Sequence, residues 1–400
     1  MAFFKKSIIM RILIIEGKGI GYMYNLNSEI KDFLSNIEPD IIYKEQASNA
    51  QTTLRDYLQS SEVFKDMYLD SFLTGSYKRN TAIKEIKDVD IIVILNKPAT
   101  FIEPNDDVKE LYNLLKKSFE NSDMYEIKEV EQQQRSIKLI WRFKNDEDNE
   151  IRKEELTLDV VPAIRSSDGS NYNLWIPDKN LNKWIKTNPQ GHIDKITEKN
   201  QGSTEKNQGS TDINGQKPFI PFVKILKFWK SESYKVPKKP KGFLLECIAY
   251  HSWNNHADNW FDCLKNGYED ILNKYEMYMY LGSNDDKEID FIYDIGLEGS
   301  IIHTSTTFAN FKKFINKIKE TIAILSEVEE ADSKYDAILK LQDIFGNEYF
   351  PNPKETDKNI KNDNKTNNKS VSVITGSNKN PEAKSYGQIW YSEKYNYRQL

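Results

Sequence analysis

The stretch Lys87-Asp-Val-Asp-Ile-Ile-Val-Ile-Leu95, closed by Asn96-Lys97-Pro98, constrains this chain more than any other. An apolar, β-branched run that stops at turn formers predicts a buried strand. Side chains alternate along a strand, so Asp88 and Asp90 share one face of it. Two carboxylates side by side on a buried sheet repel each other unless a cation sits between them. Just upstream, Ser71-Phe-Leu-Thr-Gly-Ser-Tyr-Lys-Arg-Asn-Thr-Ala-Ile83 sets a small Gly75-Ser76 turn before the carboxylates. Such a turn offers backbone N–H groups and a hydroxyl to a phosphate.

A partner strand can deliver a third carboxylate. Leu156-Thr-Leu-Asp-Val-Val161 alternates and stops at Pro162, and Ile137, Leu139, Trp141 and Phe143 alternate with Lys138, Ile140 and Arg142. A hairpin joining 136–143 to 155–161 across Asn145–Glu150 brings Asp159 into the sheet of Asp88 and Asp90. These three form the expected catalytic and metal-binding trio. Their hard oxygens suit two Mg²⁺ or Mn²⁺ ions, one activating an attacking hydroxyl and one stabilising a leaving pyrophosphate. An isolated Asp-x-Asp is usually a solvated strand end or turn. Turn, apolar strand and downstream Asp together point instead to metal-assisted nucleotidyl transfer.

Gly-Ser-Tyr-x-x-x-Thr-Ala-Ile, Asp-Val-Asp-Ile and Leu-Asp-Val-Val-Pro together resemble the CD-NTase family, bacterial cyclic oligonucleotide synthases similar to animal cyclic GMP-AMP synthase and oligoadenylate synthases. Leu174-Trp-Ile-Pro-Asp178, Trp184 to Pro189, Phe222 to Trp229 and Ile344 to Pro351 extend the resemblance in family order from about Asn25 to Pro351. The Gly-Ser and Asp motif alone marks only the wider polymerase-β-like superfamily. The resemblance implies an α+β fold, a polymerase-β-like nucleotidyltransferase core with a mixed sheet, packed against a helical substrate-binding domain. It implies nucleoside triphosphate substrates, ATP first, with Gly75 and Ser76 on the donor phosphates, ring closure in a second round, and antiphage signalling through a downstream effector. It also implies a phosphate contact for Lys227, because related enzymes carry a Lys in that helix. They often add a Ser just before the next helix, where Pro240-Lys-Gly-Phe243 stands here.

Four hundred residues suffice for two or three structural units. A net charge of −5 opposes a general nucleic-acid binder, so no DNA partner is expected. Two cysteines suit a reducing cytoplasm, and no apolar run is long enough to span a membrane. Residues 1–24 read as a poorly conforming extension: Arg11 interrupts its apolar run, and Met23 is an alternative start. Residues 25–190 read as the nucleotidyltransferase core and 218–352 as the helical domain. Helices are expected from Asn27, over Tyr43 to Val63, after Asp106 or Asp107, and over 243–260, 265–281, 308–327 and 332–345. Thr197-Glu-Lys-Asn-Gln-Gly-Ser203 repeats at once as 204–210, so 191–217 reads as a flexible loop. Residues 353–400 read as a linker and tail, the aromatic end of which could dock a regulatory partner.

Other features carry less. Lys224, Lys227 and Lys230 form a stripe that is ordinarily a solvated helix face. Cys247, His251, His256 and Cys263 lack the tight spacing of a structural zinc site, so no zinc is expected. His192 and His303 read as structural, and Tyr77 and Trp175 as packing residues. Alternatives are a template-independent RNA or oligoadenylate-type nucleotidyltransferase, a smaller toxin-like or drug-modifying relative, and a catalytically inactive nucleotide- or partner-sensing module.

Overall fold

The computed structural model describes residues 24–361 apart from 85–87, 97–106, 145–150, 167–171, 203–212, 214, 235–239, 255–256, 281–284 and 303, with the side chains of 41–44, 107, 144 and 151–154 also outside the description. Strands β1 (Tyr68–Leu73), β2 (Asp88–Leu95), β3 (Ile127–Gln132), β4 (Ile137–Lys144) and β5 (Ile151–Arg165) form a mixed sheet in the order β1-β2-β5-β4-β3. β2 and β5 are parallel, and their other neighbours are antiparallel. β6 (Leu174–Asp178) pairs with the far end of β5 and with β7 (Lys183–Thr187).

Alternation decides what each face of this sheet does. Val89, Ile91 and Val93 of β2, with Leu156, Leu158 and Val160 of β5, point into one core. Helix α1 (Asn27–Asn36) opens the chain, and α2 (Ile41–Ser60) follows it. The sheet core is closed by α2 and by α4 (Asp107–Glu120), whose Val108, Leu111, Leu115 and Phe119 are buried in helical register. On the opposite face Ile92, Ile94 and Ala163 make a small apolar patch. The same face at the other end of the strands carries Asp88, Asp90 and Asp159. Helix α3 (Gly75–Lys78) is one short turn between β1 and β2.

The second half is helical: α5 (Pro189–Gln201), α6 (Phe219–Ser233), α7 (Gly242–Ser252), α8 (Trp260–Tyr275), α9 (Phe308–Glu329) and α10 (Lys334–Phe345). α6 is its axis. Phe222, Ile225, Leu226 and Trp229 are buried as the stripe predicts, but so are Val223, Lys224, Lys227 and Phe228 on its other sides. The Trp229 indole N–H donates to Thr321 of α9 at 3.0 Å. The described residues of both halves belong to one compact unit.

Several expectations need correction. β5 does not stop at Pro162. That proline falls between the β4 ladder, which ends at Val160, and the β6 ladder, which begins at Ile164, where that edge of the strand has no bond to lose. Residues 191–201 are helix, not loop: Asn188 caps α5 by accepting from the Gly191 N–H, Pro189 starts it, and His192 and Ile196 are buried. The first heptapeptide copy therefore begins inside α5, which ends at Gly202 with φ 75°. The second copy lies outside the described residues. The expected helix 243–260 ends early, at Ser252, and the helix expected over 265–281 starts early, at Trp260, because Asn259 caps α8 through the Asp262 N–H. Residues 353–361 include a short 3₁₀ turn, Glu355–Asn359, with Asp357 buried, so the expected linker does not begin at 353. The tail from 362 and residues 1–23 lie outside the described residues.

Candidate active site

The parallel pairing of β2 and β5 sets Asp90 directly beside Asp159, and Asp88 beside Thr157. The next strand sets Lys138 beside Asp159. One row across three strands therefore reads Lys138, Asp159, Asp90, with Asp88 one step along on the same face and exposed.

The Gly75-Ser76 turn closes over this row. The Thr74 N–H donates to the Asp90 carbonyl at 2.9 Å. Gly75 has φ 72°, and a Cβ there would stand 1.7 Å from Asp90 Oδ2. Both facts demand glycine: L-residues avoid that φ, and the carboxylate already fills the space. The Arg79 N–H donates to the Gly75 carbonyl at 3.2 Å, and the Thr81 N–H to the Ser76 carbonyl at 2.8 Å.

Asp159 is held in an unusual state. Burial pushes its carboxyl up to about 7; Asp90 and Asp88 push the same way, and Lys138 and a Ser136 hydrogen bond oppose them. Its Oδ1 is buried without a hydrogen-bond partner. Burial also raises Asp90, against the pull of Arg79. Among the described residues, no three His, Cys, Asp or Glu side chains close into a ready-made metal cluster. The donors nonetheless fit a divalent cation. They are hard oxygens on one face, they destabilise each other as anions, and one buried lone pair is unsatisfied.

Behind the turn lies a second, fully paired cluster. Glu246 of α7 is 0% exposed. It accepts from Arg79 Nε at 2.6 Å, Arg79 Nη2 at 3.2 Å and Thr81 Oγ1 at 2.9 Å, and pairs with Lys227 Nζ at 2.5 Å. Burial works to raise its carboxyl, but Arg79 and Lys227 overcome this and hold it at about 2. Lys227, on which a phosphate contact is expected, belongs to this cluster. Its side chain is 1% exposed, pairs with Glu246, and donates to the Thr81 carbonyl at 2.9 Å. The lysine stripe is likewise not a solvated face: Lys224 is 3% exposed and bonds Glu38 at 2.5 and 2.8 Å.

Sequence reasoning missed Glu246, Arg79, Thr81 and Lys138. Glu246 did carry a signal, as the lone charge inside Phe243-Leu-Leu-Glu-Cys-Ile-Ala249. Cys247 and Cys263 are buried, and burial raises both thiols. His251 bonds the Tyr293 carbonyl at 2.9 Å, and His192 meets Asp294 at 2.7 Å. His256 and His303 lie outside the described residues. Tyr77 and Trp175 pack against the sheet core.

Comparison with known proteins bears on the fold and the class of enzyme. Residues 24–200 match the Second Messenger Oligonucleotide or Dinucleotide Synthetase domain. The chain is 29% identical over 326 residues to a cyclic AMP-AMP-AMP synthase of Acinetobacter sp., covering 80% of this chain and 83% of that protein. It is 24% identical over 377 residues to a cyclic AMP-AMP-GMP synthase of Enterobacter hormaechei, covering 84% and 94%. The fold matches E. coli MS115-1 CdnC, solved with ATP, at a TM-score of 0.59 and 18% identity, over 81% of this chain and 98% of that one. Residues 24–200 thus carry a synthetase domain, the chain is similar over most of its length to cyclic oligonucleotide synthases, and it is a nucleotidyltransferase.

Proposed function

We propose that this enzyme condenses nucleoside triphosphates, ATP among them, into a cyclic di- or oligonucleotide with release of pyrophosphate. The observation that carries this reading is the pair Asp90 and Asp159, abreast on adjacent strands under the Gly75-Ser76 turn, with a buried Asp159 oxygen unsatisfied. Asp88, Asp90 and Asp159 are the residues that would hold Mg²⁺ or Mn²⁺, which when bound activates a hydroxyl and neutralises the leaving phosphates. The turn supplies backbone N–H groups and the Ser76 hydroxyl to the donor triphosphate. Asp159 must lose its proton to act, and Lys138 beside it favours that loss. The cyclic product is supported by the names of the relatives, and ATP by the CdnC structure.

We read the product as a signal for a separate effector in cytoplasmic antiphage defence. A regulatory protein partner is a further part of this reading, supported by the CdnC structure with a HORMA protein. No helix among the described residues is long and apolar enough to cross a membrane. The test is incubation with each labelled triphosphate and Mg²⁺, alone and mixed. Small phosphatase-resistant products and free pyrophosphate are expected. Extended RNA, or nucleotide binding without product, would overturn the reading.

A further inference from the structure

Resting on the nucleotidyl-transfer reading, we propose that Glu246 is a positioning residue for the phosphate-gripping turn, acting through Arg79, Thr81 and Lys227 and never touching nucleotide. Four donor groups converge on its two oxygens. Two of the residues that supply them are the ones that close the turn: the Arg79 N–H holds the Gly75 carbonyl and the Thr81 N–H holds the Ser76 carbonyl. Lys227 adds a bond to the Thr81 carbonyl from the helical half. The clamp therefore fixes both ends of the segment that receives phosphate.

Two features separate this from ordinary core bracing. A fully buried carboxylate is a poor way to glue two halves together, because apolar residues of equal volume are often as stabilising. And the turn has no slack: Gly75 lies against Asp90 so closely that a shift of the turn moves the carboxylate row as well. Burial lowers the Lys227 ammonium, and the nearby Glu246 opposes this, which ties the lysine to its partner rather than to solvent.

The experiment uses the full chain and three variants: Glu246→Gln, Lys227→Met and the double variant. Affinity for a non-hydrolysable ATP analogue with Mg²⁺ is measured beside melting temperature. A positioning role predicts about a tenfold or greater loss of affinity in each single variant at temperatures where it is folded, and a double variant no worse than the poorer single one, because the residues act as one clamp. Glu246→Gln with unchanged affinity and only a lower melting temperature overturns the proposal. So does a loss confined to Lys227→Met, which would put that lysine on the phosphates. Should Glu246→Gln not fold, Thr81→Val removes the hydroxyl's contacts with Glu246, Lys227 and the Ser76 carbonyl and leaves the charges paired; weakened binding supports the proposal and wild-type binding sinks it. Because the readout is binding, a wild-type protein that binds nucleotide but makes no product would sink the functional reading and leave the clamp standing.

Discussion

Asp159 on β5 and Glu246 on α7 are both acids withdrawn from water, and burial has opposite outcomes for them. Glu246 is surrounded by donors and held at about 2. Asp159 stands beside another acid with a buried oxygen unpaired, and is pushed up to about 7. One carboxylate is finished by the protein's own cations; the other is left for something the chain does not supply. That difference separates a residue that builds the site from one that works in it, and isosteric loss of each charge should have opposite effects on stability.

The largest effect is on turnover. Asp90→Asn and Asp159→Asn should each cut product formation by about a thousandfold or more, measured with labelled ATP. Metal-free Asp159→Asn should melt no lower than wild type, because a repelled buried charge is gone. Glu246→Gln should instead lose about 3–5 kcal/mol in urea unfolding, since it strands two buried cations. Equal melting behaviour for the two variants would erase the comparison.

The pH dependence comes next. The folded value of Asp159 lies above its unfolded value near 3.9, so the folded state binds the extra proton. Its contribution is intact below about pH 4 and is lost as pH rises through about 7. Glu246 has the opposite sign: its contribution is present above about 4.3 and is lost as pH falls through about 2. Metal-free melting curves should therefore show stability declining from about pH 4 to 7, and Mg²⁺ should restore more at pH 8 than at pH 5. A flat metal-free profile, or Mg²⁺ stabilisation greatest at pH 5, would count against it. The smallest effect belongs to Glu38→Gln, which breaks the Lys224 pair: with the Glu38 side chain 41% exposed, the loss should stay near 1 kcal/mol by thermal melting.

The same comparison explains what the sequence disclosed. A continuous apolar run placed β2, which is buried on both faces beyond Asp90, and period-two alternation placed β4 and β5; alternation also puts Asp88 and Asp90 on one face. The Gly75 requirement was legible as motif, though its cause, the Asp90 carboxylate in the place of a side chain, is tertiary. The pairing of Lys227 with Glu246 was not legible, because the two lie on different helices and only folding brings them together. Helix ends went astray where one cap decided them, as at Asn259 and Asn188. Pro162 looked like a strand end because the gap between the β4 and β6 ladders, which makes it harmless, arises only in the folded sheet.

Titration with Mn²⁺, followed by the loss of its free EPR signal, tests the central claim most directly. Wild-type protein with a non-hydrolysable ATP analogue should deplete the signal in near-stoichiometric amounts, and Asp159→Asn should leave most of it while Glu38→Gln still depletes it. Equal depletion by wild type and Asp159→Asn would show that the unpaired carboxylate is not where the cation binds.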